Sequence, residues 1–562
     1  MSRKIFPLIF LLLLSLIYSK TITTTDLASA ISQASAGDII QIKSGIYKNV
    51  PYRLKSGSQG SPITIKAAPG ATVTFTGTAS SCIFDVYSVS YVNIEGPFEL
   101  KNALCGAKIM NANYVNISGL TVHDVQQQGI VVSGHNNHIF NNEVYNCVME
   151  NKATAKSKDG GWSQCVAVWG VSYGVFSTNI IFEKNKIHEG YGEGLDFLEC
   201  ENCKAIGNEI TNGFSMNIYV DASKNIEIDS NILRVNTDTY NTKWGRACGI
   251  GMAPESGKLN IDNILITNNI IIGTRMGIYF FTMANGGGYN NVKILHNTLW
   301  NVFTTPVWFR PPTTGASNCE MKNNFFYVDG IIDFNPKSAW SLGHNYYYNI
   351  NGVPGIYSDS SSMAAKSLDI STIFDQVSGC NDYWNQNLDV KCLRPSRNPG
   401  LFKLYHSGEI PKTKVAKDFS GTQRSTSTPS IGAYENASAE IPDKPPVTDA
   451  YDVKFKINYC TSYQVIKIVG SHCNWSVSSC PTMNHEGNCV WSTTIPAATS
   501  KTFIYKFLVA TGNTANRWEN DPNRQFNGAS LASLANRASS GKYETCSYTK
   551  SGKVITLECS WR

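Results

Sequence analysis

Apolar and polar residues alternate in short bursts along most of the chain, and the bursts end alike. In order they read VNISGLTV, HIFNNEV, IIFEKNKI, KAIGNEI, IEIDSNIL, ILITNNII, VKILHNTL and CEMKNNFF. Alternation over so few residues predicts half-buried β-strands and no helical pattern. One asparagine, or once a glycine, stands at a fixed place in each burst ahead of a further apolar residue, at Gly119, Asn142, Asn185, Asn208, Asn231, Asn269, Asn297 and Asn324. Asn185, Asn208 and Asn231 are each 23 residues apart, and the 43 from Asn142 to Asn185 is close to two such periods. Later intervals of 38, 28 and 27 mark loop insertions. Such a period, built of short strands, predicts a parallel β-solenoid with coils about 4.8 Å apart and inward apolar ladders. Asparagine suits one fixed place per coil because its amide bonds to the next asparagine and it tolerates a left-handed turn. A sandwich would instead space its strands by about 8–12 residues, with no recurrent asparagine.

A second strand precedes each asparagine unit, in register on a small residue followed by an aliphatic one. The pairs are Ala167-Val168, Gly194-Leu195, Asn217-Ile218, Gly249-Ile250, Gly277-Ile278 and Pro306-Val307. With the aliphatic inward, the next residue points outward. The outward set is Trp169, Asp196, Tyr219, Gly251, Tyr279 and Trp308, while Phe197, Val220, Met252, Phe280 and Phe309 are core. A stripe of exposed aromatics marks a binding surface and suits the apolar faces of sugar rings. Asp196, Asp221 and Arg310 add polar groups to that face, unless a long loop covers the rings as satellite core. On this register the carboxylates of Asp196 and Asp221 lie roughly 8 Å apart. That falls within the separation of about 6.5–9.5 Å used by inverting glycosidases.

Composition narrows the setting. The 562 residues are 42% hydrophobic and 16% charged, a globular balance, and a net charge of +6 predicts no nucleic-acid partner. Arg3 and Lys4 precede the apolar run IFPLIFLLLLSLI, with a small residue at Ser19, which predicts a secretory signal peptide over residues 1–19. The run is shorter than a bilayer span, so no membrane partner is expected. Of 16 cysteines, ten precede residue 400 and six follow residue 459, even counts that suit disulfides within each half of an extracellular protein. Sequons stand at Asn116, Asn436 and Asn474. The Pro-rich stretch ENASAEIPDKPPVTDA separates the body from a smaller domain. The predicted divisions are a solenoid over 20–436, a linker over 437–450 and a second domain over 451–562.

The opening LASAISQASAGDIIQIKSGIY, followed by GSQGSPITIKAAPGATVTFTG, resembles the first coils of secreted right-handed parallel β-helix proteins. That group includes the pectate lyase-like and the chondroitinase/alginate lyase-like polysaccharide enzymes. The closing NPGLF and PSIGAYE resemble their last segment, so the likeness spans roughly residues 24–435. The stretch GEGLDFLECENCKAIGNEI…SMNIYVDAS resembles the active coils of the second family, whose Glu-x-Glu binds calcium near a Lys and an Arg. Glu193 matches the first Glu, Leu195 takes the second place, Cys200 falls near the Lys, and Val220-Asp221 falls near the Arg. The basic groups are thus missing, although Lys204, His188 or Arg310 offer substitutes. The resemblance leaves Ca2+ as a candidate cofactor, with Glu193, Glu199 and Asp221 as its candidate metal ligands. Cys200 and Cys203 lack a second Cys/His pair for zinc and a helix start for redox chemistry. They are expected to form disulfides to other coils, such as with Cys165 or Cys248.

Residues 451–526 alternate with short polar turns, which predicts a small antiparallel β-sandwich. IYKF and RWENDPNRQF resemble the family 20 starch-binding module. By that resemblance Trp475 and Trp518 are stacking platforms, with Lys506 and Asn523 as polar contacts beside them. The expectation is an all-β, secreted, monomeric protein that binds starch or a related α-glucan. Asp196, Asp221 and Glu193 are its candidate catalytic residues for hydrolysing a polysaccharide in the groove. Trp169, Tyr219, Tyr279, Trp308 and Arg310 are its candidate groove contacts. The alternatives are a non-catalytic carbohydrate-binding matrix protein and a lyase or epimerase acting on a uronate polymer.

Overall fold

The computed structural model describes residues 20–435 and 452–560. Breaks fall at 49–51, 155–162, 242–244, 256–259, 283–285, 329–331, 350–360, 366–372, 375–379, 381–382, 384, 397–403, 405–406, 461–464, 471–477, 479, 496–501, 512–513, 519–523, 528–539, 544–545 and 552–553. The predicted signal peptide and linker, with Asn436, Asn474, Trp475 and Asn523, lie outside the described residues. The chain divides into two compact units. One holds residues up to 293 with 305–320 and 332–340; the other holds 294–304, 321–331 and 341–562.

The first unit is a parallel solenoid. Strands of successive coils pair in parallel along three series, as in Ile181–Glu183 with Lys204–Ile206 and Lys186–His188 with Glu209–Thr211. The predicted asparagine ladder is present. Asn142 donates its amide to Asn185 (3.0 Å), Asn185 to Asn208 (3.0 Å), Asn208 to Asn231 (2.9 Å) and Asn231 to Asn269 (2.9 Å). In the second unit the ladder runs Asn297 to Asn324 to Asn345, each at 3.0 Å. Asn185, Asn208, Asn231, Asn269, Asn324 and Asn345 each also accept the backbone N–H of the preceding rung, as Asn208 does from Asn185 at 2.9 Å. The ladder therefore satisfies polar groups that no water reaches.

Three details differ from the sequence reading. The left-handed residue is the one before the ladder asparagine, such as Asn141, Lys184 or Ser230. Gly119 (φ 68°) occupies that turn position itself, and the Asn142 side chain caps the N–H of Leu120 instead. Asn345 escaped the pattern because the strand before it, Trp340–Gly343, lacks alternating aliphatics. There is also a seven-residue helix, Leu27–Gln33, N-capped by Asp26 and burying Leu27, Ala30 and Ile31 beside the first coil.

Disulfides join Cys82–Cys105, Cys147–Cys165, Cys200–Cys203 and Cys380–Cys392 in the body. Cys460–Cys489 and Cys546–Cys559 lie in the C-terminal domain. The expectation that Cys200 and Cys203 reach other coils is corrected: they bond to each other, Cys165 is taken by Cys147, and Cys248 is a buried free thiol.

The strands that carry the candidate residues are β1 (Ile130–His135), β2 (Gln164–Val168), β3 (Glu193–Leu198), β4 (Met216–Asp221), β5 (Cys248–Ala253), β6 (Met276–Phe280) and β7 (Thr305–Phe309). Leu195, Ile218, Ile250, Ile278 and Val307 align as one inward ladder. Phe197, Val220, Met252, Phe280 and Phe309 form the next one, and all ten are fully buried.

The C-terminal domain packs two sheets. The larger is made from β8 (Asp452–Asn458), β10 (Asn484–Gly487), β11 (Val490–Ile495), β15 (Ser540–Tyr543), β16 (Cys546–Ser551) and β17 (Val554–Ser560). The smaller is made from β9 (Val465–Gly470), β12 (Thr502–Thr511), β13 (Thr514–Trp518) and β14 (Arg524–Asn527). Pairing is antiparallel except between β8 and β17, which run parallel. Phe455, Ile457, Ile466, Ile468, Trp491, Phe507, Tyr548 and Leu557 fill the space between the sheets.

Candidate active site in the solenoid groove

The outward face of β3–β7 begins as the sequence predicts. Asp196, Tyr219, Gly251, Tyr279 and Trp308 align on consecutive coils. Trp169 does not join that row, because Val166, not Val168, lies opposite Leu195. Small–aliphatic pairs occur twice in Cys165-Val166-Ala167-Val168, and the earlier pair sets the register. Trp169 therefore follows β2 two residues farther along the same face, level with the end of β3 and with Asp221.

Burial overturns most of the expected aromatic groove. Tyr219 and Tyr279 are only 5% and 7% exposed and pack with Met216, Met276 and the ring of Phe281. Phe281 stacks on Tyr219 at 6.2 Å and on Tyr279 at 5.4 Å. Met216 fills the gap over Gly251, where a Cβ would meet its sulfur at 2.5 Å. Trp308 is half-buried at the edge of this cluster, and the exposed Arg310 lays its guanidinium over the indole at 4.6 Å. Asp196 and Glu193 are also corrected. Their side chains are 0% and 5% exposed, Asp196 being enclosed between Ala167 and Tyr219 of the adjoining coils. Neither is presented to a substrate as a groove carboxylate.

Asp221 is presented. It closes β4, half-buried, on the wall of a cavity of about 660 Å³ also lined by Gln128, Gln164, Trp169, Tyr173, Glu199 and Glu255. Trp169 supplies an apolar wall, its indole N–H donating to Gln164 Oε1 at 3.3 Å. Tyr173 stands at the tip of the turn Ser172–Val175 and is 70% exposed. That turn is tied to the cavity, because the Gly174 N–H donates to Glu199 Oε2 at 3.0 Å. The Glu255 N–H donates to Asp221 Oδ1 at 2.9 Å, and the Tyr219 hydroxyl donates to Glu255 Oε1 at 2.7 Å. Three carboxylates from three consecutive coils thus share one cavity.

Their charges set the chemistry of Asp221. Burial pushes its carboxyl up to about 7, and the negative charges of Glu255, Glu199 and Glu193 add to the rise, against the Glu255 N–H, which lowers it. Tyr219, deeply buried beside the same acids, is held far above the ordinary phenol range and so stays a hydrogen-bond donor. Glu255 and Tyr173 were missed in the sequence. Glu255 follows β5 in a loop with no periodic signal, and Tyr173 sits on a tight turn between strands.

A calcium site does not fit these residues. Among the described residues no three His, Cys, Asp or Glu side chains are arranged to hold a metal ion. Glu193 is buried, and Leu195, in place of a second acidic ligand, is core. The positions expected to carry a lyase base are likewise closed, since Cys200 is in a disulfide and Val220 is fully buried. The substitutes lie elsewhere: Lys204 pairs with Glu227 at 2.6 Å, His188 with Glu143 at 3.1 Å, and Arg310 with Trp308.

Family comparisons agree with this architecture. Residues 105–299 match the model described as right handed beta helix region, and residues 450–536 match the starch binding domain. The fold is a right-handed β-helix followed by a starch-binding domain. Residues 22–103, the first coils of the β-helix, match the chondroitinase B model. Over 82 residues the chain is 37% identical to a glucoamylase of Neurospora crassa, a match covering 13% of this chain and 13% of that protein. Solved structures similar to the chain include an alginate lyase from Paenibacillus sp. str. FPU-7, at 17% identity over 58% of this chain and 99% of that one (TM-score 0.38). Others are XylC in complex with xylose, at 11% identity over 74% and 98% (TM-score 0.47), and pectate lyase Pel9A, at 15% over 75% and 97% (TM-score 0.38). In the starch-binding domain, Trp518 opposes Leu508 in the β12–β13 pair, and Lys506 opposes Val469 in the β9–β12 pair.

Proposed function

We propose that this is a secreted polysaccharide hydrolase whose starch-binding domain anchors it to an α-glucan while the β-helix cavity cuts a glycosidic bond. The observation that carries the reading is Asp221: a carboxyl held protonated up to about pH 7, in an aromatic-walled cavity, with two further carboxylates beside it. Carboxyl pairs with environments that push their protonation apart are the working parts of glycosidases.

In this mechanism a sugar ring stacks on Trp169 and Tyr173 with the scissile oxygen at Asp221. Asp221 gives its proton to that oxygen as the bond to the anomeric carbon breaks. Glu199, fixed by the Gly174 N–H, takes a proton from the water that attacks the same carbon. Glu255 positions Asp221 through its backbone N–H and adds the negative charge that keeps the carboxyl protonated. In the starch-binding domain Trp475 and Trp518 stack on successive glucose rings, with Lys506 and Asn523 bonding to hydroxyls.

The test is reducing-sugar release from a panel of plant, algal and fungal polysaccharides. Asp221→Asn is expected to lose at least about 100-fold in kcat on the active glycan, in line with the contribution of a general acid. Full activity in that variant contradicts the assignment. Unsaturated products absorbing in the near ultraviolet would instead establish a lyase.

A further inference from the structure

We infer that the β-helix cavity accepts an uncharged polysaccharide and rejects uronate polymers. This rests on the same cavity as the proposed hydrolysis but concerns what the cavity binds, so the two fail separately.

The argument is one of charge sign. Glu199, Asp221 and Glu255 all line the cavity, and among its described lining residues there is no Lys, Arg or His. Among the described residues, Lys204 pairs with Glu227, Lys224 with Glu201, and Arg310 lies over Trp308. A uronate carboxylate entering this space meets like charge in a partly desolvated wall, where such juxtaposition is strongly unfavourable.

The other lining groups suit a neutral ring. Trp169 and Tyr173 provide apolar faces, while Gln128, Ser163, Gln164 and Ser172 provide amides and hydroxyls of the kind that bond to sugar hydroxyls. The indole of Trp169 is held in place by its bond to Gln164 (3.3 Å), so this wall is formed before a ligand arrives.

Titration calorimetry on the full-length Trp518→Ala protein, with the starch-binding domain disabled, tests the inference. The probes are hexasaccharides of glucose (α- and β-linked), xylose and mannose, against hexamers of guluronate and galacturonate. At least one neutral hexamer is expected to bind, to lose at least about tenfold on adding Trp169→Ala, and to exceed both uronates by at least about tenfold. In Glu199→Gln/Glu255→Gln the gap between neutral and uronate ligands should narrow, a change that a merely structural role for these acids does not produce. A uronate that binds more tightly than every neutral hexamer, with its binding lost in Trp169→Ala, overturns the inference, as does the absence of any Trp169-dependent neutral ligand. Trp169-dependent neutral binding without bond cleavage leaves this inference standing and overturns the proposed hydrolysis alone.

Discussion

Asp221 links the geometry of one carboxyl to two pH dependences of opposite use. Its value of about 7 in the fold lies above the ordinary 3.8, so the folded state binds a proton that the unfolded chain releases. Stability from this group therefore falls as pH rises from about 4 to about 7, and the penalty is fully present above that window. Asp221→Asn removes it: the melting temperature should rise relative to wild type at pH 8 and change little at pH 4, measured by scanning calorimetry. Under the proposed mechanism, activity should fall above about pH 7 as Asp221 loses its proton. The parity of β4 made Asp221 legible in the sequence as an outward residue, and Asp196 by the same rule. Alternation assigns a face but says nothing of what covers it, and so Asp196, Tyr219 and Tyr279 were read as open when they are buried. The ladder asparagines were more legible, because each must satisfy a backbone N–H and an amide on the preceding coil. Asn208→Ala orphans the backbone N–H of Asn185 and removes one of the two acceptors of its amide, the other being Ile139 O, and should cost about 3 kcal/mol in denaturant unfolding.

At the scale of elements, the coil is the unit that the sequence writes most plainly. Inward aliphatics recur in register from Leu195 to Val307, and the asparagine after them fixes the turn. Register fails where two small–aliphatic pairs overlap, as at Cys165 to Val168, and a two-residue slip there moved Trp169 from the Asp196 row to the level of Asp221. Turns that project from the coils carry no such repeat, which is why Tyr173 and Glu255 went unread although they complete the cavity. In the C-terminal domain the strands β15 to β17 lie beyond the segment that matches the starch-binding model, which ends at residue 536. They are nonetheless part of the larger sheet: Tyr548, Ile555 and Leu557 are core, and Cys546–Cys559 joins β16 to β17. A chain ending at residue 536 should therefore lose the domain's cooperative melting transition and its retention on insoluble starch, with the β-helix transition still present.

At the scale of the molecule, a starch-binding domain and the β-helix cavity proposed as a second carbohydrate site share one chain. The starch-binding domain is expected to hold α-glucan by aromatic stacking, so Trp518→Ala should abolish pull-down by insoluble starch without altering groove chemistry on a soluble glycan. Retained pull-down would remove that residue from the binding site. The β-helix cavity, by contrast, is lined by Glu199, Asp221 and Glu255, and on the proposed reading takes a neutral chain. Disulfides in both parts suit the extracellular setting that the N-terminal sequence predicts. The reaction itself was the least legible level, because the first coils resemble lyase sequences while the cavity lacks a lyase's basic groups among its described lining residues. The most direct measurement is cleavage of the active glycan in water enriched in oxygen-18, with rapid quenching and mass analysis of the products. The account predicts saturated fragments carrying one oxygen-18 atom per cut, and none formed by Asp221→Asn. Unsaturated fragments without the label, or labelled fragments formed equally by Asp221→Asn, would contradict it.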